Sequence, residues 1–253
     1  MKKKRSLEDE IDLASQRATE LVGWCARIAL HQGFGIGRQR WELVEQKIME
    51  VSDWCLSICM EGEKDGKNPG QRSREARMAA LPEGAPTELR IPMRRTPRNR
   101  REEQLKMAED KGATLNWQMI ALACHQVLGF SRERLTRLHQ LTLDNIRQLD
   151  AWDRENGPEV ATEWLRRCAE EAAAEEVGID NTSDEEKLHQ QRASWEEQMD
   201  RYQRQAILRE VARKTAKPIQ HPGPKMPKMP EDAAEKFAQC RRLAEGSAYR
   251  RRG

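Results

Sequence analysis

Two segments of this sequence share a pattern of His, Gly and Arg residues that could do chemistry. They run from Ala29 to Arg40 and from Ala123 to Arg134, and six of their twelve positions are identical. The identical positions are an alanine, a histidine (His31 and His125), a glutamine, a glycine and two arginines. A repeated pattern of this kind defines the structural unit, so its chemistry has to be tested first.

The recurring histidines suggest a metal site or a catalytic base, but their surroundings do not complete either one. No His or Cys stands at ligand spacing beside them, and Cys55-x-x-x-Cys59 lacks the paired cysteines of a zinc site. A histidine before a turn more often caps the last carbonyls of its helix. GxSxG, HExxH and carboxylate-dyad patterns are also missing from the sequence. We therefore expect no enzyme, no metal, no cofactor and no small-molecule substrate.

The glycines of residues 33–37 resemble a phosphate-binding loop in composition. A nucleotide loop follows a strand, whereas a helical pattern precedes this one, and the second copy keeps only Gly129. We interpret Gly35 and Gly129 as turns, with a positive φ or a close backbone approach.

The recurring arginines are the better candidates for a binding function. They are Arg38, Arg40, Arg132 and Arg134. Placed at helix N-termini, as in a helix-hairpin-helix element, they would lie near backbone N–H groups that hold a DNA phosphate. The alternative is that they pair with neighbouring acids such as Glu42, Glu45 and Glu133, or stay solvated.

A second basic set lies between the two copies. It comprises Arg94, Arg95, Arg98, Arg100 and Arg101. Unstructured basic arms follow nucleic-acid backbones through counterion release. An equally well supported alternative is that this basic set docks on the acidic helices between Asp153 and Asp200 of the same chain.

The net charge of +3 conceals strong segregation along the chain. Residues 64–106 carry +6, residues 153–200 carry −10, and residues 201–253 carry +9. Charge alone does not decide whether a basic block binds an anion, its acidic neighbour or a second protomer.

Helical periodicity dominates the elements that must position these residues, and convincing strand patterns are missing. The sequence therefore predicts an all-α fold in which two related helical hairpins are joined by a basic linker. A long charged helix and a Pro-rich tail with a short helix follow. The predicted segments are hairpin 1 at 1–61, the partly disordered linker at 62–100, hairpin 2 at 101–155, two charged helices at 156–217 and the tail at 218–253.

Residues 184–214 form the long helix, whose capping box is Ser183 with Glu186. Its apolar seam is thin and needs a partner, either elsewhere in this chain or in a second protomer. We expect partner binding at Trp195, Met199 and Tyr202 and at the acids Glu170, Glu171, Glu175 and Glu176.

The pattern from His31 to Trp41 and from His125 to Leu135 resembles a motif of small uncharacterised proteins of prophages and mobile elements in Firmicutes. Two positions depart from it: Trp41 where Leu is usual and Ser131 where Gly is usual. The resemblance covers about forty residues of each copy and implies a bacterial virus or mobile element as the setting.

We expect a non-enzymatic accessory protein that binds nucleic acid through its basic segments and forms homo-oligomers. The alternatives are an inhibitor that binds a host defence or nucleic-acid-processing complex, with its acidic block mimicking phosphate, and an oligomeric scaffold. A signal peptide and a membrane span are not predicted, so a cytoplasmic location in the bacterial host is expected.

Overall fold

The computed structural model describes residues 5–64, 66–92, 96–173 and 183–215. The described residues form seven helices and no strand: α1 (Leu7–Phe34), α2 (Arg38–Met60), α3 (Pro69–Ala80), α4 (Arg100–Leu128), α5 (Arg132–Asn156), α6 (Pro158–Ala173) and α7 (Asp184–Thr215). The predicted all-α class is confirmed. None of these helices is long and apolar enough to cross a membrane.

The chain divides into two compact units, residues 1–202 and 203–253. In the second unit the structure describes residues 203–215, the end of α7. The predicted Pro-rich tail and its short helix lie outside the described residues. All contacts given below are within the first unit.

The two repeats have the same local structure. α1 and α4 end at equivalent positions, and the residues that follow, Gly35 and Gly129, have φ of 63° and 65°. The next residue of each repeat, Ile36 or Phe130, is buried, and its N–H donates back to the sixth residue before it. Both turns therefore end the helix in a left-handed cap that favours glycine, as predicted. α2 and α5 then begin at the first arginine of each pair.

The predicted hairpins are not confirmed, because each repeat packs on the other one. α2 packs mainly on α4, whereas α5 packs on α1. α1 and α4 run side by side and parallel: Glu10 bonds Arg101, and further along both helices Thr19 O accepts from Asn116 Nδ2 at 2.7 Å. The two repeats are interlocked around one shared core.

Gly112 lies where α1 and α4 approach each other closely. A Cβ at this position would overlap the carbonyl oxygen of Ser15 and lie 2.7 Å from its hydroxyl. Thr19 Oγ1 donates to the Gly112 carbonyl at 3.5 Å across the same contact. The close approach therefore requires glycine here.

Part of the predicted linker, which was expected to be partly disordered over residues 62–100, forms a helix and a segment bonded to the bundle. α3 begins at a capping box of Asn68 and Gln71, and residues 81–92 form a strap across α4 and α5. Leu89 of the strap is fully buried, and its N–H and carbonyl both bond the Thr114 hydroxyl. Trp117 Nε1 also donates to the Pro86 carbonyl at 2.7 Å. The bundle therefore buries Leu89 and donates hydrogen bonds to the carbonyls of Pro86 and Leu89.

α6 and the first part of α7 cover the bundle. Trp152 and Trp164 meet edge to face at 5.2 Å where α5 passes into α6. Leu188 of α7 is buried, and Asp184 forms ion pairs with Arg5 and Arg17 at 2.5 and 2.8 Å. Part of the α7 seam is therefore occupied by this chain itself.

Candidate nucleic-acid interface

A cleft of about 850 Å³ opens where the two repeat turns meet. The first repeat and its turn contribute Phe34, Ile36, Arg40 and Leu43. The second contributes Val127, Leu128, Phe130, Glu133, Arg134 and Arg137. We call it the arginine cleft, because three of its lining side chains are guanidinium groups and one is a carboxylate. The turns cause this convergence: each places the second arginine of its pair in the first turn of a helix, and the interlocked packing brings the two turns together.

Four planar groups form one continuous series in the cleft. The Arg137 guanidinium lies 5.3 Å from the Phe34 ring centre, the Phe34 and Phe130 rings are 4.8 Å apart, and the Arg134 guanidinium lies 5.8 Å from Phe130. Cation–π attraction of this kind stabilises a guanidinium beside an aromatic ring. The Arg134 and Arg137 side chains are nevertheless exposed, so each can still meet a ligand.

The N-cap residues of the two helices that begin beside the cleft, Gly37 of α2 and Ser131 of α5, do not bond a backbone N–H of their helix through a side chain. By contrast, Ser6 and Asn99 cap α1 and α4. Uncapped N–H groups carry positive partial charge that favours an anion.

Glu133 offsets part of this positive field in the second repeat. Hydrogen bonds from its own amide and from the Ser131 hydroxyl, followed by one from Arg132, hold its carboxyl pKa below the usual range. The carboxylate therefore stays ionised and already serves the N-terminus of α5. The first repeat has Gln39 at this position, and the first turn of α2, as described, carries no acid. The field at the α2 end is consequently more positive.

The four predicted arginines divide into two roles. Arg40 and Arg134 are brought together at the cleft, as lining side chains. Arg38 instead pairs with Glu42 at 2.8 Å, and Arg132 pairs with Glu133 at 3.0 Å. The alternative of local ion pairing therefore holds for the first arginine of each pair.

The predicted basic arm is not brought to the cleft as a set. Arg94 and Arg95 lie outside the described residues. Arg98 and Arg100 are exposed at the start of α4. Arg101 bonds Glu10 of α1, and this bond raises the arginine pKa. In the described part, Arg101 therefore holds the two repeats together.

The predicted partner-binding residues are spread over different environments. Trp195 is 54% exposed, whereas Tyr202 is half-buried and donates its hydroxyl proton to the Asp53 carbonyl at 2.9 Å. Met199 is half-buried and Glu171 is exposed. Glu170 forms an ion pair with Arg166. Glu175 and Glu176 lie outside the described residues.

His31 and His125 have different hydrogen-bonding environments at their equivalent positions. His125 Nδ1 lies 2.9 Å from the Phe130 carbonyl and fastens its own turn, while the buried Nδ1 of His31 has no hydrogen-bond partner among the described residues. Within the described ranges, no cluster of three or more His, Cys, Asp or Glu side chains could hold a metal ion. Burial raises the thiol pKa of Cys25 and of Cys124 to about 12, which leaves both thiols protonated.

No protein-family model, curated protein or solved structure matches this chain. Function is therefore inferred from the cleft itself.

The repeat comparison missed three of the residues that shape the cleft. Phe34, Phe130 and Arg137 align with Leu128, Ile36 and Leu43 of the other copy, so their chemistry does not recur. Part of the missing signal lies in the spacing of Arg134 and Arg137, because side chains three positions apart share a face of a helix.

Proposed function

We propose that this protein is a non-enzymatic nucleic-acid-binding protein and that the arginine cleft holds the phosphate backbone. The observation that carries the proposal is the convergence of Arg40, Arg134 and Arg137 on one cleft with one acid in its lining. Guanidinium groups bind phosphate oxygens through two parallel hydrogen bonds, which makes arginine well suited to this contact. The setting we propose, the cytoplasm of a bacterial host carrying a phage or mobile element, is supported by the resemblance of the repeat motif.

Fluorescence anisotropy with a labelled oligonucleotide tests this function. The expected result is binding at about 50 mM salt that weakens by about tenfold at about 200 mM, because a few counterions are released from the phosphates. Replacing Arg40, Arg134 and Arg137 together by Gln is expected to abolish most of the binding and flatten the salt dependence. A chain that binds no oligonucleotide at low salt would rule the proposal out.

Arg147→Gln is the matched control for the charge change. Arg147 is an exposed arginine of α5 that pairs with Asp144 at 2.8 Å and does not line the cleft. Its loss is expected to leave the affinity within about twofold, since a remote charge contributes little across a Debye length. An equal effect of Arg147→Gln and of a single cleft substitution would mean that binding follows net charge alone.

A second candidate function, binding to a host protein complex, is favoured by the exposure of Trp195. An exposed Trp beside acidic residues on α7 is the kind of anchor that protein interfaces use. The acidic block is less available than its sequence indicates, because Asp184 and Glu170 form ion pairs within this chain. This function predicts that Trp195→Ala releases a stoichiometric host partner while oligonucleotide binding is unchanged. An oligomeric scaffold would instead show a concentration-dependent mass in solution.

A further inference from the structure

The arginine cleft has a positively charged surface and an apolar surface, and a nucleic-acid duplex cannot cover both at once. Its arginines offer positive charge, while Phe34 and Leu43 offer apolar surface in the same concavity. Leu43 is 55% exposed, so this apolar surface reaches solvent. A duplex presents phosphates outward and keeps its base faces stacked inside, so it can meet the arginines but leaves the apolar surface uncovered.

An unpaired base supplies the missing apolar partner. Single-stranded nucleic acid is bound by basic grooves in which bases stack on aromatic rings or on guanidinium planes. In the cleft, Arg137 and Arg134 already lie over Phe34 and Phe130, at 5.3 and 5.8 Å. Each ring thus holds a guanidinium beside the cleft, and because both arginine side chains are exposed, a base can reach them.

We propose that the arginine cleft is specific for single-stranded nucleic acid, with one or two bases stacked on the guanidinium planes of Arg134 and Arg137 and the adjacent phosphates bound near Arg40. This inference rests on the proposed nucleic-acid function and narrows it to unpaired strands. The apolar side chains of Phe34 and Leu43, from the first repeat, contact the edge of the bound base. DNA and RNA strands both offer unpaired bases and phosphates, and the 2′-hydroxyl of RNA is the group by which a protein distinguishes the two.

The test compares four ligands of equal length on the full chain: a DNA strand, an RNA strand, a DNA duplex and a DNA strand whose central nucleotides lack bases. We expect the better of the two intact strands to bind about tenfold more tightly than the duplex or the abasic strand. The DNA and RNA arms identify which strand the cleft accepts. Equal affinity for intact and abasic strands would overturn base stacking, although it would leave phosphate binding intact. Binding to none of the ligands would overturn the proposed function itself.

A charge-preserving variant separates stacking from electrostatics. Arg134→Lys with Arg137→Lys keeps both positive charges but removes both planar groups, and Arg147→Lys is the matched control. The double variant is expected to lose the preference for intact over abasic strands while its salt dependence is retained. Because both side chains are exposed, the helix content measured by circular dichroism should not change. A double variant that keeps the full preference would exclude the guanidinium planes as the base platform.

Discussion

At the scale of single residues, the neighbouring acid decides what each repeated arginine does. Arg38 and Arg132 lie next to carboxylates that they reach without leaving their own helix. The second arginine of each pair is directed to the cleft instead, together with Arg137. Local ion pairs could be anticipated from the spacing of Arg38 and Glu42, because side chains four residues apart meet on a helix. The meeting of Arg40 with Arg134 could not, since it depends on how the repeats pack.

A pair of glycine substitutions tests the close contact between α1 and α4. Gly112→Ala places a methyl group against the Ser15 backbone, and we expect it to lower the free energy of unfolding by about 2 kcal/mol even though alanine favours the helix. Gly23→Ala is the control, because its Cβ would meet only the Asn116 side chain, at an ordinary 3.5 Å. It should raise the stability by about 0.5 to 1 kcal/mol. Urea unfolding followed by circular dichroism measures both, and a stabilising Gly112→Ala would contradict the contact.

At the scale of elements, helix ends could be predicted closely and helix partners could not. The turns at Gly35 and Gly129 and the start of the long helix after Ser183 lie where the sequence indicates them. These features depend on backbone groups within a few residues. An amphipathic pattern shows that a face of a helix is buried but not against which helix. The sequence therefore did not predict that α2 packs on α4 and that α5 packs on α1.

The composition of the strap, residues 81–92, did not predict that this segment packs on the bundle. Its three prolines and Gly84 are typical of a loop, and its apolar residues show no helical period. It is held by single side chains of the bundle instead: Asp110 accepts from the Ile91 amide at 3.1 Å, and His139 Nε2 donates to the Glu88 carbonyl at 2.9 Å. Burial lowers the pKa of His139, which keeps this ring neutral.

Leu89→Ala tests whether the strap belongs to the core. Leu89 is fully buried, and truncating such a side chain leaves a cavity that costs about 3 kcal/mol of unfolding free energy. Met107→Ala on α4 is the control, because Met107 is 71% exposed and its loss should change stability by less than about 0.5 kcal/mol. Urea unfolding followed by circular dichroism measures the change in unfolding free energy for both variants. If the strap did not contribute to the core, Leu89→Ala and Met107→Ala would lower the free energy of unfolding by equally small amounts.

At the scale of the whole molecule, the interlocked repeats explain why one cleft forms from two motifs. Each first helix buries its apolar face against the other repeat, so neither repeat has a complete core. The same arrangement brings the two arginine-bearing turns to one end of the bundle. Charge segregation along the chain is partly resolved inside the fold, as when Asp184 meets Arg5 and Arg17. The cleft is left as a region where positive charge exceeds negative charge.

Splitting the chain between the repeats tests this interlocking. Fragments 1–92 and 96–253, purified separately, are each expected to have low helix content and no cooperative unfolding, because α1 loses α4 and α5 while α4 loses α1 and α2. Mixing them should restore helical circular dichroism and give a 1:1 complex by sedimentation, since the missing core is then rebuilt from both sides. A second fragment that carries Gly112→Ala should associate more weakly, because the parallel contact of α1 and α4 is strained. If fragment 1–92 unfolded cooperatively by itself with full helix content, each repeat would be an independent hairpin, and the cleft would have to form by docking two finished units.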